Sequence, residues 1–460
     1  MKGLHAHCHG RSVSRRQFLG TFGAAAAGML LASPAHAFGG VRHGAARVAV
    51  ASCSTYERTR VLNTMQGLFD GIGGLGDVIR PGDRIGIKIN LTGGIWNAQN
   101  YQNQTGLPPG ETFWTHPEVL RAVGQLIRDS GASEIYVLEA SYDDWGTYAQ
   151  YGYASATKAF DGTYVDLNKI QPYAGFVARS TGSDAFIYQS FTQNAILNEL
   201  DCVVSLAKSK QHAEAGVTHG MKNLVGSVPI TLYSAGQGSR QALHWHTSYD
   251  GDTHSNLCRV IMDLNGATPI RLVVNDAVKT VLGGEGPWHR LHTATFDTFV
   301  VSTDPVAADT VATQVIGFDP TANKGSATFP QSLNYLQLAS TLGMGVSDPA
   351  QIEVVQARPV GSEDEAPVAA GIELAAYPNP FRTRLVLDVT MRTTAYATLA
   401  AYDVRGGRVA RLLSRTLPVG KTTVEWSGGT DQGLAAGTGM YFVVLESEGR
   451  RVTQKVVRAH

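Results

Sequence analysis

The chain has 460 residues, 43% of them hydrophobic, and Lys plus Arg equals Asp plus Glu at 38 each. That length suits two or three domains with a sizeable core. A formal net charge of zero excludes a global field drawing in nucleic acid or an anionic membrane, so charge-driven binding is local.

In chain order, SRRQFLG (Ser14 to Gly20) carries paired arginines. The weakly apolar TFGAAAAGMLLAS follows, and AHA (Ala35 to Ala37) supplies small residues suited to cleavage. The apolar run is shorter than the roughly 18 residues that span a bilayer. Residues 1–37 therefore read as a removable signal, and no transmembrane segment is expected in the mature chain. The segment resembles a twin-arginine export signal, which implies the Tat translocase as a partner. Cys8 would leave with it. Cys53, Cys202 and Cys258 remain without a CxxC spacing, so no iron–sulfur cluster is expected from this chain.

From residue 46 to 356 strand and helix patterns alternate. RVAVASC is a strand, and a helix is predicted from Glu57 to about Asp70. RIGIKIN (84–90) is a strand, and THPEVLRAVGQLIRDSG a helix with Thr115 as cap, Pro117 in its first turn and Gly131 as stop. EIYVLEA, CVVSL and IRLVVNDA read as further strands, with a helix in SNLCRVIMDLNG. TFVVS leads into DPVAADTVATQVIG, a helix capped by Thr303 or Asp304. The alternation predicts an α/β fold: a largely parallel sheet core flanked by helices.

Residues 357–372 are acidic and Pro/Gly/Ala-rich, as in a linker. Over 373–460 short alternating runs separated by Gly-rich turns predict a small β-sandwich. Its motifs are YPNPF (Tyr377 to Phe381), AYDVRGGRV, VEWSGGTDQG, GTGMYFVVL and a near-terminal KVV. Asn379-Pro380 is expected to start its first strand, with Trp426 and Tyr441 packed between the sheets. These motifs resemble the type A C-terminal sorting domain of type IX secretion, itself similar to the immunoglobulin-like domain of flagellar hook-assembly proteins. The resemblance implies the type IX secretion machinery as a partner and a periplasmic, cell-surface or extracellular location.

The larger region carries RPGDRIGIKIN, THPEV, KSKQH (Lys208 to His212), THGMKNLVGSVP, VNDAVKTVLGGEGP and STDPVAADTVATQVIGFDP, in that order. These resemble the domain-of-unknown-function 362 family over roughly residues 46–320. Ala207 stands where the family's lysine loop usually has proline. The ferredoxin-type cysteines of many relatives are missing, which leaves an electron-transfer role without support.

In open α/β sheets ligands bind beyond the carboxyl ends of strands, at a topological switch point. Lys208, Lys210 and His212 follow one such end, Lys88 and Asn90 finish another, and Asp276 ends a third before the GGEGP loop with Glu285. His116 and Asp304 lie at helix starts, where backbone N–H groups favour anions. The expected site is a pocket for a small anionic ligand, a carboxylate or phosphate. Lys88, Asn90, His116, Lys222, Asn223, Glu285 and Asp304 would bind it. Lys208, Lys210, His212 and Asp276 would be catalytic, with His212 as general base or metal ligand. The plain alternative is a solvated basic loop.

HWH places His244 and His246 on one side of a strand, half of a possible divalent-metal site that Asp250, Asp252 and Glu285 would complete. GIGGLG (71–76) follows a helix pattern instead of a strand and is rejected as a dinucleotide site. No GxSxG elbow and no nucleic-acid module occurs. Taken together, the residues predict an exported, metal- or cofactor-assisted enzyme acting on a small anionic substrate. The rival is a non-catalytic surface or periplasmic binding protein using the same rim.

Overall fold

A computed structural model describes residues 46–143, 146–170, 175–234, 240–244, 250–360, 372–379, 381–403, 407–448 and 450–459. Residues 1–45, where an export signal is expected, and most of the expected linker 357–372 lie outside these residues. Among them no helix is long and apolar enough to cross a membrane.

An eight-stranded sheet forms the centre of the first region. Its strands are β1 (Ala46–Ser52), β2 (Arg84–Lys88), β3 (Glu134–Glu139), β4 (Thr163–Asp166), β5 (Cys202–Lys208), β6 (Leu272–Leu282), β7 (His292–Ser302) and β8 (Ile352–Gln356). They lie in the order β8-β1-β7-β6-β5-β2-β3-β4. All pairs are parallel except the two that β7 makes, with β1 and β6. The sheet is therefore mostly parallel, as expected. The reversed strand was not foreseen, because TFVVS gives the same apolar signal in either direction.

The helices form where the apolar residues recur at helical spacing. In α1 (Arg58–Gly71) Val61, Met65 and Leu68 are buried, and Glu57 caps the helix by accepting from Thr59 and Arg60 N–H. In α2 (Pro117–Asp129) Leu120, Val123 and Ile127 do the same. Both pack over Ile85, Ile87 and Val204 on one face of the sheet. On the other face Val260 and Leu264 of α3 (Asn256–Ala267) and Ala308 of α4 (Pro305–Val315) close over Val273. With both faces covered, strands such as β5 are buried along their whole length.

The C-terminal region forms two antiparallel sheets, consistent with a small β-sandwich. The three-stranded sheet holds β9 (Ile372–Tyr377), β10 (Leu385–Met391) and β13 (Gly420–Trp426). The four-stranded sheet holds β11 (Ala395–Asp403), β12 (Arg408–Leu417), β14 (Gly439–Ser447) and β15 (Arg450–Arg458). Inward residues of both, including Leu374, Leu387, Leu399 and Val443, share one core. Trp426 and Tyr441 meet there edge to face at 5.5 Å. The first strand ends before Asn379 instead of starting at it, and Pro380 lies outside the described residues.

One register pair organises the sheet's centre. Lys208 on β5 stands beside Asp276 on β6, and both side chains are fully buried. Lys208 Nζ donates to Asp276 Oδ2 at 2.6 Å, to Tyr56 Oη at 2.7 Å and to the Glu111 carbonyl at 3.0 Å. Tyr56 Oη in turn donates to Asp276. Removing one partner of such a pair strands the other charge in the core. Lys208→Met is expected to destabilise the protein by about 3–5 kcal/mol, and adding Asp276→Leu to recover most of that loss. The midpoints of denaturant unfolding for the single and double variants measure the effect.

Candidate functional site

The chain steps outward in one direction from β2 through β3 to β4, then returns to place β5 against β2 and β6 beyond it. The strand order thus switches between β2 and β5, and a crevice opens at their carboxyl ends. A cavity of about 610 Å³ lies there. It is lined from β2 by Lys88, Asn90 and Thr92, and from β3 by Glu139. The segment after β5 adds Lys210, His212, Glu214, Lys222 and Asn223. Arg240, His244, Glu285, Trp288 and His289 complete its polar wall.

Of the residues expected at the site, Lys88, Asn90, Lys210, His212, Lys222, Asn223, His244 and Glu285 share this cavity. Lys208 and Asp276 do not. Side chains alternate along a strand, and Lys208 turns into the buried pair described above. His116 is also elsewhere. Its Nδ1 accepts from Glu118 N–H as the cap of α2, and its ring stacks on Tyr56 at 3.8 Å. Burial, with Lys208 and Lys279 nearby, lowers its pKa to about 3, so it is a neutral cap and not an anion ligand. Thr115, expected as that cap, donates instead to the Leu206 carbonyl. Asp304 caps α4 through Val306 and Ala307 N–H and ties down Val346 N–H. It lies off the cavity too. His246 falls outside the described residues.

A lattice of neutral groups holds the two strand ends together. Asn223 donates to the Lys88 carbonyl at 2.9 Å and to Ser205 Oγ at 3.1 Å, linking β2 to β5. Its Oδ1 accepts from Asn90 Nδ2. Lys88 Nζ pairs with Glu139 at 3.0 Å. The turn carrying Lys222 passes so close that a Cβ on Gly226 would lie 2.4 Å from Glu139 Oε1 and 2.7 Å from Lys88 Nζ. The start of that turn is anchored by Asp309, which accepts from Gly220 and Met221 N–H, Asn275 and Tyr335.

The histidines are fixed in two different protonation patterns. His212 Nδ1 faces the backbone N–H groups of Glu214 and Ala215 at 3.2 and 3.1 Å. An amide N–H only donates, so Nδ1 is the acceptor and the proton of the neutral ring sits on Nε2. Burial, with Lys222 nearby, holds its pKa well below the usual imidazole range. His212 is thus a neutral N–H donor, not the expected general base. Metal ligation through Nε2 would cost it that proton. His244 is the opposite case. Its Nδ1 lies 2.5 Å from Glu214 Oε2, so it donates to the carboxylate, and in the neutral ring Nε2 carries the lone pair. His289 Nε2 likewise pairs with Glu285 Oε1 at 2.7 Å. Glu285 stays ionised: burial works to raise its pKa, but Ala213 N–H, His289 and Trp288 outweigh it.

Three basic side chains then stand without a carboxylate among the described residues. Lys210 Nζ reaches only Asn90 Oδ1 at 2.9 Å, the Phe113 carbonyl at 2.8 Å, Thr92 Oγ1 at 3.5 Å and the Phe113 ring. Arg240 donates to the carbonyls of Val228 and Ala140 and lies over Tyr142. Lys222, 8% exposed, makes no hydrogen bond or ion pair among the described residues. Burial brings its pKa down to about 8, with Glu285 and Glu214 opposing from longer range. Among the described residues no group of three or more His, Cys, Asp or Glu side chains is placed to hold a metal ion.

Residues 86–314 match the family model described as Domain of unknown function (DUF362). Every charged cavity residue named above falls in that DUF362 segment. A thylakoid-associated protein of Synechocystis sp. is 28% identical over 301 residues, covering 62% of this chain and 83% of its own. Two solved structures from Porphyromonas gingivalis are similar over 19% of this chain. Dimeric latent PorU has 19% identity and a TM-score of 0.17, and PorZ, described as a surface component of the type-IX secretion system, has 15% and 0.15. The chain spans 9% of the first and 11% of the second.

Glu214, Glu139, Arg240 and His289 were not among the site residues expected from the sequence. Glu214 carried a local signal, two positions after His212 in HAEAG. The others are brought in by long-range packing. The histidine assignment has a direct check. In nitrogen-resolved NMR of the protein, His212 is expected as the Nε2–H tautomer, untitrated between about pH 5 and 8. Protonation of its Nδ1 in that window would contradict the structure.

Proposed function

We propose that the protein is an enzyme acting on a small anionic substrate held in this cavity. The observation that carries the proposal is the set of three buried cations, Lys210, Lys222 and Arg240, without a carboxylate among the described residues. Charges are rarely kept from water unless something opposite meets them, and a carboxylate or phosphate ligand does so. His244, backed by Glu214, serves as general base through Nε2, and His212 donates a hydrogen bond through its Nε2–H. The carboxylate–imidazole pair favours an enzyme over a passive binder, because binding alone needs no oriented base.

The charge states make the proposal testable without knowing the reaction. Burial and mutual repulsion push Lys210 well below the ordinary lysine range and Lys222 to about 8. A bound anion favours the charged forms, so binding takes up protons near and above pH 8. Affinity is expected to fall by up to about tenfold per pH unit above that point, where Lys222 loses its charge. Calorimetry with phosphate and with small mono- and dicarboxylates, in buffers of different ionisation enthalpy, measures both effects. Arg240→Gln is expected to weaken binding by about 2–3 kcal/mol. Affinity that is flat with pH, or unchanged in Arg240→Gln, defeats the proposal.

We also propose export by the twin-arginine route, with the C-terminal sandwich acting as an immunoglobulin-like sorting domain for type IX secretion. The paired arginines, the small-residue cleavage site and the ordered sandwich motifs support this. Changing Arg15 and Arg16 to Lys is expected to retain the uncleaved precursor in the cytoplasm, read by cell fractionation. Normal processing of that double variant would remove the twin-arginine part.

A further inference from the structure

Lys222 differs from the other lysines of the cavity. Lys88 is satisfied by Glu139 and by the Ile89 carbonyl at 2.6 Å. Lys210 is satisfied by Asn90 and the Phe113 carbonyl. Lys222 lines the cavity and is buried, 8% exposed, yet nothing among the described residues accepts a hydrogen bond from its Nζ. A lysine meant only as a fixed counter-charge is normally oriented by acceptors, as Lys210 is. An amine held without them keeps its lone pair free once deprotonated.

We propose that Lys222 is a nucleophile that condenses with the carbonyl carbon of a small aldehyde or ketone bearing a carboxylate or phosphate. The proposal rests on the anion-binding reading of the cavity. Arg240 and Lys210 hold the anionic group, which leaves the carbonyl to Lys222. The free amine attacks carbon, the C=O π bond opens as the C–N bond forms, and the first amine proton passes to the oxygen to give a carbinolamine. His244 removes the second amine proton through Nε2 and returns it to the departing oxygen. The C–O bond breaks and one water leaves, so amine plus carbonyl become imine plus water. No oxidant or other reactant is needed. The depressed basicity of Lys222 agrees with this, since near-neutral pH already supplies a useful fraction of free amine.

The test uses the whole mature protein with glyoxylate, pyruvate or glyceraldehyde 3-phosphate near neutral pH. Cyanoborohydride traps any imine, and peptide mass spectrometry locates it. The expected result is one stoichiometric adduct on the peptide containing Lys222, formed at least about tenfold faster than at any other lysine. Propionaldehyde, which lacks the anion, is expected to react about tenfold more slowly there. Lys222→Arg keeps the charge and should bind the anion by calorimetry but form no adduct. Two outcomes separate the claims. Anion binding by the unaltered protein without an adduct at Lys222, or labelling spread over surface lysines, overturns the nucleophile alone. Neither binding nor adduct overturns the anion site beneath it as well.

Discussion

Everything at the carboxyl edge of this sheet follows from burying more positive charge than the surrounding carboxylates match. Water screens a surface lysine at little cost, whereas a lysine in the core must find an acceptor or give up its proton. The chain meets that constraint in three ways. Lys208 and Lys88 take carboxylates on neighbouring strands. Lys210 takes carbonyl and amide oxygens and an aromatic face. Lys222 takes nothing among the described residues, and its basicity drops. These three answers divide the basic segment into a structural lysine, an oriented lysine and a chemically available one.

The topology explains why these groups meet. The crevice between β2 and β5 is where successive connections leave in opposite directions, so no crossover covers it. The turn that brings Lys222 and Asn223 into it is pinned from below by Asp309, whose pKa burial raises to about 7. Gly226 lets the same turn lie directly on the Lys88–Glu139 pair. The positioning of Lys222 is thus a property of packed backbone and buried polar bonds, not of a surface loop.

Much of the architecture was legible in the sequence because the signals are local. Apolar strands alternate with helices whose caps and stops are a few residues away, as with Glu57 and Gly131. The direction of β7 was not legible, because apolar alternation carries no sense of polarity. Nor was the sandwich strand β12, whose RVARLLSRTL mixes charge into its pattern. At the site, proximity to a strand end picked out Lys88, Lys210 and His212, which share the cavity. The same rule misplaced Lys208, since it ignores which face of the strand a side chain takes. Helix starts misled for His116 and Asp304, because a cap residue spends its acceptor on its own helix. Arg240 and Glu139 come from distant segments and carry no local mark.

The reversed strand has a further consequence. A parallel sheet usually sends the chain away from the carboxyl edge through a helix on its flank. Here β6 runs past that edge and β7 folds straight back, so the intervening turn with Glu285, Trp288 and His289 is a ribbon tip tethered at both ends to the sheet. Such a tip can be lengthened, shortened or exchanged without rethreading any core element. The wall of the cavity that it forms can therefore change shape while the cationic floor, held by packed strands and buried polar bonds, stays as it is.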